Sequence, residues 1–305
     1  LTEVVIVNAQ PHPTVTDPEL GFRRLDPLPA ADELAAFYES RYYDLIRRGG
    51  RAPEIGRLLA GGETAARERE WLAATLYADL VDGLETYGAG GGRVLDIGAG
   101  TGDLVEHLQS AGLRASGIEP SQDASRLARE RGLDVAAATV EQWAADPAHR
   151  GAYAGAVLIN VLEHVPQPQA LLATIGTLLA PGGVLCVRVP NDFSDWQAAA
   201  AAACGHDGWW VAAPDHIHYF SHDSLARTLA ACGFEPVQLT TDFPMEFFLL
   251  MGEDYVADPA LGPGLHERRR RFELALPAAL RRRLYAAFAS VGAGRNTLAF
   301  AVRRP

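Results

Sequence analysis

The sequence predicts an α/β protein: an open, mostly parallel sheet with helices on both faces. Three observations lead there. Val94-Leu95-Asp96-Ile97 is a short apolar run around one acid, and glycines follow at alternate positions, Gly98, Gly100 and Gly102. From Asp103 onward Leu104, Val105 and Leu108 fall at helical spacing, so a strand, a glycine loop and a helix follow without a break. Short apolar runs and helix-periodic stretches then alternate as far as Val189, the pattern of a parallel sheet with crossover helices.

Taken in order, residues 1–30 are rich in proline, as in Gln10-Pro11-His12-Pro13 and Asp26-Pro27-Leu28-Pro29. Proline's fixed φ and missing N–H deny them a regular helix, and an extended arm is expected. Helical spacing starts at Ala31 with Leu34, Phe37 and Tyr38, continues through Tyr42, Tyr43, Leu45 and Ile46, and stops at Gly49-Gly50. A second helix spans 63–87, with Trp71, Leu72, Leu76, Leu80, Val81 and Leu84 at core spacing. Strands are expected at 114–119, 133–138, 153–160, 184–189, 235–240 and 296–304, and helices at 124–131, 168–179 and 221–232. Pro181-Gly182-Gly183 reads as a turn, and Ser221 or His222 as the cap of the last helix. Two segments fit no core element, 191–218 and 241–295. Both follow the carboxyl ends of strands, where open α/β sheets bind ligands. The expected organisation is an arm and helical cap over 1–89, a cofactor-binding core over 90–240 with an insertion at 191–218, a second cap insertion over 241–295, and a final core strand over 296–305.

Composition narrows the function. The chain has 305 residues, 48% hydrophobic and 21% charged, enough for one sizeable core with an added cap. Its net charge of −11 argues against a nucleic-acid partner, which needs a basic surface. Every basic side chain other than histidine is arginine. Cys186, Cys204 and Cys232 are far apart with no C-x-x-C, which suggests neither a zinc module nor a disulfide framework. No apolar stretch is long enough to span a membrane, and Leu1–Val7 is too short for a signal peptide. A cytoplasmic protein is expected.

The glycine spacing decides which nucleotide the loop would hold. A dinucleotide fingerprint, G-x-G-x-x-G, would need glycine at Asp103, whereas this loop reads G-x-G-x-G after the acid Asp96. Here the sequence resembles the class I S-adenosylmethionine-dependent methyltransferases, whose first motif has that form. The resemblance covers residues 90–240 and the final strand. It implies a Rossmann-like sheet of seven strands with the last one antiparallel, S-adenosylmethionine as cofactor and S-adenosylhomocysteine as product. It also implies that Gly98, Ala99, Gly100 and Gly102 cradle the cofactor and that Asp96 holds its amine. Glu119-Pro120 comes seventeen positions after Gly102, at the place of a ribose-binding acid. Thr139-Val140 would flank the adenine, with Thr139 standing where many relatives carry Asp. Asn160-Val161 would line the methionine and methyl end, within Asn160-Val161-Leu162-Glu163-His164-Val165, similar to the family's fourth-strand motif.

His164 is the leading catalytic candidate, because neutral imidazole can take a proton from a hydroxyl or amine as it attacks the methyl group. His216, in Pro214-Asp215-His216-Ile217-His218, is the second. No metal is expected: small-RNA 3′-end methyltransferases bind one with an E-x-x-E-H motif and a later His, and here the first Glu is replaced by Asn160. Trp209, Trp210, Phe243 and Phe247 in the insertions suit a flat or apolar acceptor, and Tyr42 and Tyr43 could close over the cofactor. Arginine runs at 268–271 and 281–283 read as a solvated face or a subunit contact. The expected partners are a small-molecule acceptor of the natural-product kind and a second copy of the chain. O-methylation is favoured, with C- or N-methylation, or a catalytically silent cofactor-binding module, as alternatives.

Overall fold

The computed structural model describes residues 12–30, 32–34, 37 and 53–304. The proline-rich arm is extended as expected, but it is not solitary. β1 (Thr14–Thr16) and β2 (Arg23–Leu25) form an antiparallel ribbon, and Arg24 pairs with His218 in β8 (His218–Tyr219) to make a small three-stranded sheet. Of the helix expected from Ala31, residues 32–34 and 37 are described and helical, with Leu34 and Phe37 buried, whereas Tyr42, Tyr43 and the other residues expected in it lie outside the described residues. α1 (Pro53–Leu59) and α2 (Gly62–Leu72) pack on each other. The helix expected over 63–87 is continuous but changes pitch: Ala73–Tyr77 winds as a π-helix between α2 and α3 (Ala78–Thr86), and the Thr75 hydroxyl donates back to the carbonyl of Trp71. An inserted π-turn re-aims the side chains after it.

The main sheet is built around β3 (Arg93–Ile97). Parallel neighbours are β4 (Arg114–Ile118) and β6 (Tyr153–Ile159), with β5 (Val135–Ala136) outside β4 and β7 (Leu179–Pro190) outside β6. β9 (Phe234–Thr241) is the far edge, and antiparallel β10 (Asn296–Arg303) lies between it and β7, giving the order β5-β4-β3-β6-β7-β10-β9. The crossover helices are α4 (Asp103–Ser110), α5 (Gln122–Glu130), α6 (Val140–Ala145), α7 (Pro168–Leu178) and α9 (His222–Ala231), the last capped by Ser221. The insertions hold α8 (Asp195–Cys204), then α10 (Glu246–Leu250), α11 (Gly262–Ala275) and α12 (Ala278–Ser290).

Neighbouring residues of each strand face opposite cores, which is why the runs read as continuously apolar. Leu95, Leu158 and Val187 join Leu172, Ile175 and Leu229 on one face; Val94, Val157 and Cys186 join Leu80, Leu108 and Phe300 on the other. Two expectations are corrected here. Pro181-Gly182-Gly183 is not a turn between elements: pairing jumps from Tyr153↔Leu179 to Gly155↔Val184, so residues 180–183 bulge from one long strand that stays paired on either side. The strand over 133–138 shrinks to two residues, because Thr139 and Gln142 form a reciprocal capping box that starts α6. Among the described residues no helix is long and apolar enough to cross a membrane.

Gly83 on α3 presses against the buried ring of Phe300, and a Cβ there would lie 2.2 Å from a ring carbon. Alanine is the better helix former by about 1 kcal/mol. The locked ring cannot yield, so Gly83→Ala should nonetheless lower stability, by about 1–3 kcal/mol in a denaturant titration.

Candidate active site

Gly98, Gly100 and Gly102 take φ of 78°, 53° and 82°, a left-handed region that side chains resist. Two of them also lack room: a Cβ on Gly98 would lie 2.7 Å from Val161 Cγ2, and one on Gly102 2.6 Å from Leu133 Cδ1. The loop is fastened to the end of β4. Gly98 and Ala99 donate their amides to the carbonyl of Ile118 at 2.9 and 3.0 Å. The Gly100 amide donates to Glu119 Oε2 at 2.9 Å, and the Ser121 amide to Glu119 Oε1 at 2.8 Å. Glu119 is therefore held directly against the loop. Asp96, 4% exposed at the end of β3, has its pKa pushed up to about 7 by burial, with the Glu119 charge adding. A buried carboxyl poised near neutrality beside a second acid favours a cationic ligand. These groups fit a positively charged nucleoside: small residues for close approach, one acid for hydroxyls, one for a cation.

The other sequence candidates fall unevenly around that loop. Pro120 is exposed. The Thr139 hydroxyl accepts from the Gln142 amide at 3.3 Å, so it caps α6, and Val140 is buried in the sheet core. Asn160 has φ of 52°, and Val161 abuts Gly98.

His164 and His216 are brought together, with ring centroids 4.8 Å apart and planes nearly perpendicular. His164 Nδ1 lies 2.8 Å from the carbonyl oxygen of Asp215. A carbonyl only accepts, so Nδ1 carries the proton and the lone pair falls to Nε2. That nitrogen is 3.8 Å from Glu163 Oε1. Glu163 is 1% exposed, and burial pushes its pKa up to about 6 against the pull of His164. Neither Glu163 oxygen has a hydrogen-bond partner among the described residues. Ligand atoms of Glu163, His164 and His216 all lie within 4.8 Å of one another, a set able to hold a metal ion.

The aromatic candidates split into two groups. Trp209 and Trp210 contact each other, and Trp210 meets Phe193, beside Tyr219. Phe243 and Phe247 instead pack with Phe248, Phe272, Phe288 and Trp196. No ring contact among the described residues joins the groups, so they do not form one aromatic wall. Sequence reasoning missed Asp215, which orients His164, and Arg188 and Asp242, which form an ion pair beside Asn160. Arg188 left a signal: a single charge inside Val184-Leu185-Cys186-Val187-Arg188-Val189.

Asp96 binds its proton more tightly folded than unfolded, where the ordinary value is 3.8. Its charge therefore costs stability progressively as pH rises from about 4 to about 7, and fully above that. Asp96→Asn removes the cost. The unfolding free energy of the variant minus that of the parent should grow across this window, measured by denaturant titration at each pH.

Residues 66–239, more than half the chain, match the family described as methyltransferase domain. The ubiquinone biosynthesis O-methyltransferase of Aromatoleum aromaticum is 32% identical over 162 residues, covering 50% of this chain and 68% of the relative. That of Marinobacter nauticus is 34% identical over 107 residues, covering 33% of this chain and 45% of the relative. Two solved structures share the fold at a TM-score of 0.52. One is the Burkholderia thailandensis 1,6-didemethyltoxoflavin-N1-methyltransferase with 1,6-didemethyltoxoflavin and S-adenosylhomocysteine bound, at 18% identity over 93% of this chain and 95% of that one. The other is the [4+2]-cyclase SpnF, at 20% identity over 91% of this chain and 97% of that one. The chain thus belongs to the methyltransferase-domain family and is an S-adenosylmethionine-dependent methyltransferase of class I fold.

Proposed function

We propose that the chain methylates a hydroxyl of a small-molecule acceptor, with His164 as general base. The observation that carries this is the 2.8 Å contact from His164 Nδ1 to the Asp215 carbonyl, which leaves the basic lone pair at Nε2. The relatives' printed activity, O-methylation, supports oxygen as the receiving atom. S-adenosylmethionine supplies, when bound, a methyl group on a sulfonium that an oxygen nucleophile can take in line with the breaking bond.

The chain's own residues then divide the work. Gly98, Ala99, Gly100 and Gly102 let the backbone approach the cofactor, and Glu119 accepts from its ribose hydroxyls. Asp96 neutralises its ammonium. Val140 and the backbone at Thr139 flank the adenine, with Pro120 at the rim. Asn160 and Val161 line the methionine and methyl end. His164 takes the acceptor proton as the C–O bond forms, and the T-shaped contact with His216 keeps its ring in place. The three cysteines, all free thiols, suit a reducing cytoplasm.

The grouping of Glu163, His164 and His216 supports a second reading, in which a divalent cation held there binds the acceptor oxygen and no imidazole acts as base. A methyl-transfer assay over phenolic and alcoholic acceptors separates the two. On the first reading His164→Ala cuts turnover about a hundredfold, leaves cofactor affinity intact, and a chelator changes nothing. On the second, a chelator abolishes turnover and added Mg²⁺ restores it. Loss of affinity on His164→Ala would displace both.

Two expectations concern the cofactor pocket. Glu119→Ala should weaken S-adenosylhomocysteine binding by about 1–3 kcal/mol in calorimetry. Because Asp96 must be ionised to pair with the ammonium, the parent's affinity should climb as pH rises through about 7, the value to which burial lifts it. Asp96→Asn should bind more weakly and lose that climb.

A further inference from the structure

Arg188 is 4% exposed on the carboxyl half of β7, and a guanidinium so buried needs acceptors for its donors. Its Nη1 donates to Asn160 Oδ1 at 3.0 Å. Its Nη2 lies 3.4 Å from Asp242 Oδ2 and 3.9 Å from Glu54 Oε1. The Arg188 carbonyl also accepts the Asn160 amide at 2.8 Å, so one residue grips Asn160 by main chain and by side chain. Asn160 needs that grip. Its φ of 52° is left-handed, a conformation that costs a residue with a Cβ unless its surroundings enforce it. The next residue, Val161, fills the space that lets Gly98 be nothing but glycine.

Asp242 fixes Arg188 in turn. It accepts from the amide of Asn296 at 2.9 Å and from Asn296 Nδ2 at 2.6 Å, and Arg269 Nη2 lies 3.1 Å from Oδ2. Burial works against its charge, but the guanidiniums of Arg269 and Arg188 hold its carboxyl below the usual range. Arg269 also pairs with Glu273, which accepts from Trp71 Nε1 at 2.7 Å and from the Tyr285 hydroxyl at 2.5 Å. A continuous polar chain, buried at Glu273, Arg269 and Arg188 and partly buried at Asp242 and Asn160, therefore runs from the second insertion to the loop after β6.

We propose that Arg188 is a positioning residue for the methyl donor: it holds Asn160 in its left-handed turn, so setting the wall of the cofactor pocket along the amino-acid end, and Asp242 keeps it there. The inference rests on the reading above that this end of the cofactor lies along Asn160 and Val161.

The test compares two probes by calorimetry on the full chain. S-adenosylhomocysteine carries the amino-acid end; 5′-methylthioadenosine keeps the nucleoside but lacks it. Arg188→Met should weaken S-adenosylhomocysteine about tenfold or more while 5′-methylthioadenosine stays within about twofold. Arg188→Lys, keeping the charge but reaching one acceptor, should fall between. Asn160→Ala removes the same contact from the other side and should show the same selectivity, and it serves alone if Arg188→Met fails to fold. The double variant should lose no more than the worse single one, since both break one interaction. Unchanged affinity, equal loss for both probes, or additive losses would each overturn the proposal. A parent that binds 5′-methylthioadenosine but not S-adenosylhomocysteine would remove the placement of the amino-acid end and the proposal with it. A parent that binds neither would instead remove the cofactor-pocket reading itself.

Discussion

The hydrogen bond from the Gly100 amide to Glu119 is the contact on which the site is built. It joins the turn after β3 to the end of β4, so the two central strands must present their carboxyl ends at one level. The parallel register from Arg93↔Arg114 to Ile97↔Ile118 brings this about. Once the ends are level, Asp96 is left almost wholly buried, with the charge of Glu119 near it. Two acids side by side beneath backbone amides would be unfavourable in a binder of anions. On the proposed reading, in which the loop holds a cationic nucleoside, they are the attraction, and part of the cost of burying Asp96 is recovered when a positive group arrives.

The surroundings of His164 and Asn160 follow a different logic. There, position is set by long-range polar contacts rather than by the sheet's own ladder. His164 is turned by a carbonyl fifty-one residues away, and Asn160 by a guanidinium twenty-eight residues away. Asp242 collects partners from β7, β10 and α11. The centre thus ties residues of the second insertion to the loop after β6, and in folds of this kind the chemistry is set by such side chains on a shared sheet. The [4+2]-cyclase that shares the fold fits the same principle, since the chemistry of a site lies in its side chains and not in the sheet.

The glycine loop and the acid fastened to it were legible in the sequence because their determinants are local. An acid, three alternate glycines and a strand-end Glu fall within twenty-four residues, and each has one physical purpose. The alternation of short apolar runs with helical spacing gave the sheet for the same reason. What escaped was non-local. Nothing near Arg23–Leu25 announces a partner at His218–Tyr219. The bulge over 180–183 looks like any proline–glycine turn until the strands on both sides are seen to pair with the same neighbour. The aromatic runs of the insertions were readable as cap residues, but not as two separate clusters. Thr139 shows the limit from the other direction: the sequence placed it beside the adenine, but not as the residue that caps α6.

The placement of β10 has a consequence for how the molecule is made. Residues 296–303 form an interior strand, hydrogen-bonded to β7 on one side and to β9 on the other. During synthesis the ribosome delivers this strand after both of its neighbours, so β7 must wait with one apolar edge open and β9 has no strand beside it until then. The parallel half of the sheet can assemble while the chain is still growing, but the sheet keeps an open, sticky gap until β10 emerges and slots into it.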